Sequence, residues 1–327
     1  MKVSTENKWY VIRAVSGQES KIKDYIMAEI NRLGFSSNVE DIIVPTEKVI
    51  QIRKGKKTSK EVIASTMKLA KSMIAIALAT QGASKGLAGI GLAIAKEFLM
   101  NGAEVVLLEK NSINIKNTPT DIANNCTIIK CDVTNSNDVN KAILKIVDIY
   151  GGIDIMVSNA GAAWQGEIGK VNSKILKESF DLNFYAHQYL SQACIDIMLK
   201  QQTGGVLLFN ITKQAINPGN NFGPYGIPKA STLFLMRQYT LEYGKFGIRS
   251  NGVNPDRIRS GLVSDKMIAS RSKARNVSEK EYMSGNLLKE EVLAEDVGKA
   301  FLSLALAKKT TGDVMTVDGG NIQAVLR

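Results

Sequence analysis

Histidine occurs once in these 327 residues, at His187, and cysteine three times, at Cys126, Cys131 and Cys194. Three thiols cannot all pair, and with a single histidine their spacing gives no zinc pattern, so no metal ligand set is expected. Buried free thiols in a reducing cytoplasm are the expected state. Long apolar runs are also missing. None approaches the ~18 residues of a membrane span, and the nearest, residues 72–80, is about half that length. The polar start Ser4-Thr5-Glu6-Asn7-Lys8 lacks the apolar core and small-residue cleavage site of a signal peptide. The expectation is a cytoplasmic protein with no membrane partner.

Charge of one sign is in excess, with 42 Lys/Arg against 31 Asp/Glu and a net +11. The surplus is uneven. Residues 1–72 carry 14 Lys/Arg against 8 Asp/Glu, a surplus of six, and the remaining 255 carry 28 against 23, a surplus of five. The short N-terminal part is therefore the more basic per residue, and the rest reads as an ordinary globular chain.

Residues 8–15, rich in β-branched and aromatic side chains, read as a strand, Ser16-Gly17 turns it, and residues 19–33 form an amphipathic helix with Ile22, Tyr25, Ile26, Ile30 and Leu33 on one face. Residues 40–45 and 49–53 read as strands, and the latter ends in the basic turn Arg53-Lys54-Gly55-Lys56-Lys57. Residues 53–60 are expected to be a solvated hairpin tip. Lys8-Trp9-Tyr10-Val11, Ser16-Gly17-Gln18-Glu19, Val44-Pro45-Thr46-Glu47 and Ile52 to Lys57 together resemble the N-terminal domain of the transcription elongation and antitermination factor NusG. The resemblance covers residues 7–61 as a truncated, small α+β segment and implies a contact with RNA polymerase. Residues 62–71 are the expected linker.

From residue 72 the pattern changes to alternating strands and helices. Residues 72–80 read as a buried strand, followed by the glycine-rich turn Gly82-Ala83-Ser84-Lys85-Gly86-Leu87-Ala88-Gly89-Ile90-Gly91 and a helix over 92–101. A second buried strand, residues 104–108, ends at Glu109. Strand, glycine-rich turn, helix, strand and acid is the layout of a dinucleotide-binding unit. Glycines let the backbone approach a pyrophosphate, and the helix start offers free N–H groups. Glu109 can accept from the hydroxyls of an adenosine ribose, which favours NAD over NADP. Further strands are expected at 126–131, 153–158, 205–209, 248–253 and 314–317, with helices at 139–150, 176–198, 229–243 and 294–306. This alternation argues an α/β fold, a Rossmann-like doubly wound parallel sheet whose ligand site lies beyond the strands' C-terminal ends.

Within that frame, Tyr225 and Lys229 stand four apart and share one helix face. A nearby ammonium favours a phenolate, so Lys229 is expected to lower the Tyr225 pKa and make the phenol an acid/base. Thr212, thirteen positions upstream and after a β-like run, is positioned to hydrogen-bond a carbonyl or alcohol. His187, between Tyr185 and Tyr189, reads as packing or surface rather than chemistry. Trp164 reads as lining the substrate mouth or simple packing. Lys213, Arg257 and Arg259 form a candidate carboxylate- or phosphate-binding group.

The glycine-rich turn, Asp132-Val133, Asn159-Ala160-Gly161, Asn183, Thr212, Tyr225, Lys229, Asn254-Pro255 and Thr316-Val317-Asp318-Gly319-Gly320, in that order, resemble the short-chain dehydrogenase/reductases over residues 72–327. Asn221 to Tyr225, Asp256 to Gly261 and Gly285-Asn286-Leu287-Leu288 narrow the likeness to the dehydrogenase half of bacterial aldolase/dehydrogenase fusions. The resemblance implies NAD(P)-dependent oxidoreduction of a small sugar-derived or hydroxy-aldehyde substrate. Tyr225 then acts as acid/base, Lys229 as its tuner and holder of the nicotinamide ribose, Thr212 as substrate orienter and Asn183 as support for a water relay. It implies cofactor contacts from Gly82, Ser84, Gly86, Gly89, Ile90 and Gly91, from Asp132 and Val133 at adenine, and from Asn159, Ala160 and Gly161. Pro255, the Ile258 backbone and Ser260 complete the set. It also implies a homodimer or homotetramer, with Phe184, Tyr185 and the helix over 229–243 at subunit contacts.

Three positions depart from the family pattern. Thr212 stands where serine is usual, Asp256 replaces a glycine, and the turn holds about three extra residues, Leu87-Ala88-Gly89, before Ile90-Gly91. The two resemblances leave three functions open: the oxidoreductase, a transcription factor segment, and a fusion with neither activity.

Overall fold

The computed structural model describes residues 19–34, 46–53, 56–63, 74–78, 89–259, 263 and 265–321. Two compact units divide the chain, Met1–Lys68 and Leu69–Arg327. The expected strands at 8–15 and 40–45 lie outside the described residues, as do the cofactor candidates Gly82, Ser84, Gly86 and Ser260.

In the first unit, helix α1 spans Glu19–Arg32. Strand β1, Thr46–Arg53, pairs antiparallel with β2, Lys56–Ile63, in a register that sets Val49 opposite Lys60 and Arg53 opposite Lys56. The expected hairpin tip over 53–60 is thus mostly strand, and β2 runs past residue 61 into the stretch read as linker. Ladder pairing with the β-branched β1 overrides the weak strand propensity of a Lys-rich segment.

The second unit opens with β3 (Ile74–Leu78), α2 (Ile90–Met100), β4 (Glu104–Glu109), the short helices α3 (Ser112–Lys116) and α4 (Thr120–Ala123), and β5 (Cys126–Lys130). It continues through α5 (Ser136–Tyr150), β6 (Ile155–Ser158), α6 (Ser173–Phe180), a π-turn over Asp181–Tyr185, and α7 (Ala186–Gln201). It closes with β7 (Gly205–Asn210), α8 (Gly223–Tyr243), β8 (Ile248–Pro255), α9 (Asp265–Ala274), α10 (Glu279–Met283), α11 (Ala294–Leu306) and β9 (Val314–Val317). The seven strands form one parallel sheet in the order β5-β4-β3-β6-β7-β8-β9. The order reverses between β3 and β6, and the crevice at that switch point is where a dinucleotide lies in such sheets.

Each face of the sheet carries its own core. On one, Val139 and Ile146 of α5, Leu190 and Met198 of α7, and Met236 of α8 pack on Leu207 and Phe209. On the other, Ile94 and Phe98 of α2 and Phe301 and Leu304 of α11 pack on Val105, Leu107 and Leu208. Each fully buried side chain of this size contributes about 1.5–3 kcal/mol. Burial of Ile94, Ala95 and Phe98 to 0% exposure seats α2 against the sheet despite the extra residues before it. The helix begins at Ile90, so Gly89 and Gly91 flank its first residue, while Leu87 and Ala88 lie outside the described residues.

Candidate active site

The site assembles where β6, β7 and β8 end. The Thr212 side chain, two residues beyond β7, accepts from the Gln214 N–H and hydrogen-bonds the Tyr225 phenol. Tyr225 and Lys229 both lie in α8, which starts six residues earlier than the predicted helix and so carries the tyrosine in its first turn. Close approach of that turn to Thr212 depends on Gly226. A Cβ there would stand 2.8 Å from the Gln214 carbonyl oxygen.

Two prolines shape the same turn. Pro228 has no N–H to offer the Pro224 carbonyl one turn back, and that orphaned acceptor takes the Ser179 hydroxyl at 2.6 Å. Ser179 Oγ in turn accepts from Asn183 Nδ2 at 2.9 Å. Asn183 therefore ties the catalytic helix to the loop after β6: its Nδ2 also donates to the Ala162 carbonyl, and its Oδ1 accepts from the Ala162 N–H. Asn183 sits inside the π-turn, and the Thr232 hydroxyl donates to its main-chain carbonyl at 2.6 Å.

Lys229 is 2% exposed and donates to the Asn210 carbonyl at 2.9 Å. Burial lowers its pKa to about 7. Tyr225 shifts the other way, to about 12, because burial outweighs the hydrogen bond from Thr212 that lowers it. The expectation that Lys229 would hold the phenol below its ordinary range is thus reversed, since desolving a phenolate in this closed pocket costs more than the neighbouring groups return.

His187 departs furthest from its sequence reading. It is 1% exposed, with Nε2 3.2 Å from Lys229 Nζ and Nδ1 2.6 Å from Ser158 Oγ. Its helix turns it inward while Tyr185 and Tyr189 stack on each other. The spacing of four from Asn183, matching that of Lys229 from Tyr225, is the signal that could have found it. Trp164 packs against the core, partly buried.

Lys213, Arg257 and Arg259, expected to bind an anion, each have internal partners. Lys213 Nζ and Asp256 Oδ2 are 2.7 Å apart. Arg257 donates to the Tyr282 carbonyl at 2.6 Å and lies over the Tyr282 ring. Arg259 pairs with Glu291 and Asp265.

On the cofactor side, Glu109 is 2% exposed; its Oε1 accepts from the Asn111 N–H, while its buried Oε2 has no hydrogen-bond partner among the described residues. An orphaned buried carboxylate oxygen at the second strand's end fits a pair of ribose hydroxyls. Gly161 gives a second fit, for a Cβ there would lie 3.0 Å from Asn183 Oδ1 and 3.6 Å from Lys229 Nζ, filling the space over both. Asn159 and Ala160 are buried beside it, and Asn159 Oδ1 accepts from Asn210 Nδ2. The Asp132 carboxylate is engaged by Thr134 and Lys110, and Val133 is buried in the core, so any contact they make with adenine is through backbone or edge atoms. Pro255 closes β8, and Ile258 is buried just beyond.

This arrangement of sheet, switch point and Thr–Tyr–Lys constellation is that of one enzyme class, and comparison with known proteins agrees. Residues 82–321 match the short-chain dehydrogenase model described as enoyl-(acyl carrier protein) reductase. The chain belongs to the short-chain dehydrogenase/reductase family and is an enzyme of that type, a family that uses nicotinamide cofactors. An uncharacterized oxidoreductase of Bacillus subtilis, YuxG, is 30% identical over 258 residues, 75% of this chain, and the chain spans 37% of that relative's length. An L-rhamnose-1-dehydrogenase of Scheffersomyces stipitis is 28% identical, covering 72% of this chain and 92% of the relative. The solved aldohexose dehydrogenase of Thermoplasma acidophilum superposes with a TM-score of 0.64 at 25% identity, covering 76% of this chain and 93% of that one. Residues 7–89 match the family model described as transcription termination factor NusG, which extends beyond residue 61 and overlaps the dehydrogenase match at residues 82–89. No helix among the described residues is long and apolar enough to cross a membrane.

Proposed function

We propose that the chain interconverts an alcohol and a carbonyl on a small sugar-derived or hydroxy-aldehyde substrate, using NAD in preference to NADP. The observation that carries this reading is the meeting of the half-buried Thr212 hydroxyl with the buried Tyr225 phenol, with Lys229 one turn along the same helix. The similarity to dehydrogenases named for rhamnose and aldohexose supports a sugar-like substrate. The unpartnered Glu109 oxygen supports NAD, because a 2′-phosphate would meet a buried negative charge. Gly89, Ile90 and Gly91 at the start of α2, Glu109, the 159–161 segment and Lys229 would hold the cofactor, which supplies the two-electron acceptor or donor when bound. Thr212 holds the substrate oxygen. In the oxidative direction Tyr225, as phenolate, takes the hydroxyl proton; in reduction the phenol returns it. Lys229, one turn along α8 beside Gly161, would hold the nicotinamide ribose.

The protein acts in the cytoplasm as a homodimer or homotetramer in this reading. Ile227, Phe234 and Leu241, spaced by seven on α8 and 45%, 69% and 78% exposed, supply a stripe for a second copy. A panel of sugars, sugar acids and hydroxy-aldehydes assayed with NAD, following the absorbance of reduced nicotinamide, tests the reading. Turnover on some panel member that is lost in Tyr225→Phe is the expected result.

A second reading concerns the N-terminal unit alone. The NusG match supports a contact with RNA polymerase, and co-purification of the polymerase with the full chain, lost on deletion of residues 1–68, is its test.

A further inference from the structure

His187 occupies a position that the proton-transfer site described above does not use. Lys229 has three N–H bonds as an ammonium. One goes to the Asn210 carbonyl at 2.9 Å, and among the described residues His187 Nε2 lies within reach of another at 3.2 Å. We propose that His187 is a positioning residue for Lys229: its Nε2 accepts the second N–H, which leaves the third for the cleft bordered by Gly161. The inference rests on Lys229 being the lysine of the proton-transfer site.

An imidazole that accepts at Nε2 carries its proton on Nδ1. The groups around the ring suit that tautomer. Ser158 Oγ lies 2.6 Å from Nδ1, and the Ala160 backbone also hydrogen-bonds the ring. From β7 the Phe209 ring lies 6.3 Å away between centroids, and on its own helix the Ser191 hydroxyl donates to the His187 carbonyl. Lys229 is the charged group that faces the ring. Burial first, then the Lys229 charge, hold the His187 pKa well below its ordinary value, with the Ala160 carbonyl opposing. These effects favour the neutral, accepting form of the ring. Asn183 cannot take this place with its side-chain amide, whose Nδ2 and Oδ1 are bound to Ala162 and Ser179, and its main-chain carbonyl holds Thr232.

Loss of the acceptor has a signed consequence. A buried ammonium stripped of one hydrogen bond loses its proton more readily, so Lys229, already lowered to about 7 by burial, goes lower still. Tyr225 then keeps its cationic neighbour over a narrower range, and the alkaline limb of the rate profile moves to lower pH.

Because histidine occurs once in the sequence, nitrogen-15 NMR of untagged, histidine-labelled full-length protein reads this ring alone. The expected spectrum shows the Nδ1–H tautomer with an unprotonated Nε2 across neutral pH, and the Nε2 resonance shifts in Lys229→Met. An Nε2–H tautomer, or a resonance indifferent to Lys229→Met, overturns the proposal whether or not the protein turns over any substrate. The kinetic arm compares His187→Leu with His187→Gln, whose amide oxygen restores an acceptor. His187→Leu should lose about tenfold in kcat and shift the alkaline limb down by about one pH unit, equivalent by the usual conversion, while His187→Gln stays near the parent. Superimposable profiles for His187→Leu and the parent, or equal losses in both variants, contradict it. A parent protein that oxidises nothing and binds no nicotinamide removes the oxidoreductase reading and leaves the NMR arm to decide this one.

Discussion

Lys213 Nζ lies 2.7 Å from Asp256 Oδ2, and the same oxygen accepts from Asn321 Nδ2 at 2.7 Å. One carboxylate, placed where the family pattern has glycine, thus joins the turn after Thr212 to the segment after β8 and to the residues that follow β9. Side-chain exposures of 24% and 9% make this a partly buried pair, strong enough to fix the turn and to neutralise the cation next to the catalytic threonine.

Replacing Asp256 with alanine is expected to cost roughly 1–3 kcal/mol in denaturant unfolding, since Lys213 and the Asn321 amide both lose their acceptor. The freed lysine should also lower KM for a sugar acid relative to the matching neutral sugar. An unchanged KM ratio would show that Lys213 points away from the substrate even when released.

Gly226→Ala tests how closely α8 must approach the turn after β7. The new Cβ would stand 2.8 Å from the Gln214 carbonyl oxygen, a backbone atom that cannot swing aside. Overpacking of this kind typically costs about 1–3 kcal/mol, and displacement of Tyr225 from Thr212 should lower kcat more than it raises KM for the cofactor. Parent-like kcat in a folded variant would mean that the turn relaxes freely.

The buried lysine gives a pH signature in stability. Its folded pKa of about 7 lies below the unfolded value near 10.5. Between these the unfolded chain holds a proton that the folded chain lacks, so stability rises with pH across that window and the penalty is complete below it. Tyr225, raised to about 12, gives the opposite slope above pH ~10. The stability of the parent minus that of Lys229→Met, from urea unfolding at a series of pH values, should therefore climb from neutral pH toward 10. A flat difference would place the Lys229 ammonium in a better-solvated site.

Glu109→Ala removes the carboxylate whose Oε2 lacks a hydrogen-bond partner among the described residues. NAD affinity should fall by about one to two orders of magnitude, as for loss of charge-assisted hydrogen bonds, and the NAD-to-NADP preference should shrink. Unaltered Kd values for both cofactors would mean that the ribose is held elsewhere.

Much of the second unit was legible because its strands are short apolar runs and its helices periodic. The strand expected over 72–80 is β3 at Ile74–Leu78, and the helix over 294–306 is α11 with the same ends. Tyr225, Lys229 and Thr212 were readable from spacing, since one helix turn and a strand end bring them together. What escaped depends on tertiary partners. The single helix expected over 176–198 is broken by a π-turn at Asp181–Tyr185, where Thr232, 49 positions on, captures the Asn183 carbonyl. The pairing of Lys213 with Asp256 spans 43 positions, so three cations that looked free for an anionic substrate have partners of their own. The direction of the Tyr225 shift depends on burial, which spacing does not report. His187 looked like packing because an inward histidine on a helix gives no signal of what it faces.

The central claim is that the pocket around Tyr225 and Lys229 works on a bound nicotinamide, and titration of the full-length protein with NADH, followed by the cofactor's fluorescence, tests it most directly. Saturable binding is expected, preserved in Tyr225→Phe and weakened in Glu109→Ala. Fluorescence that rises without saturation up to millimolar NADH, in the parent as in the variants, would contradict it.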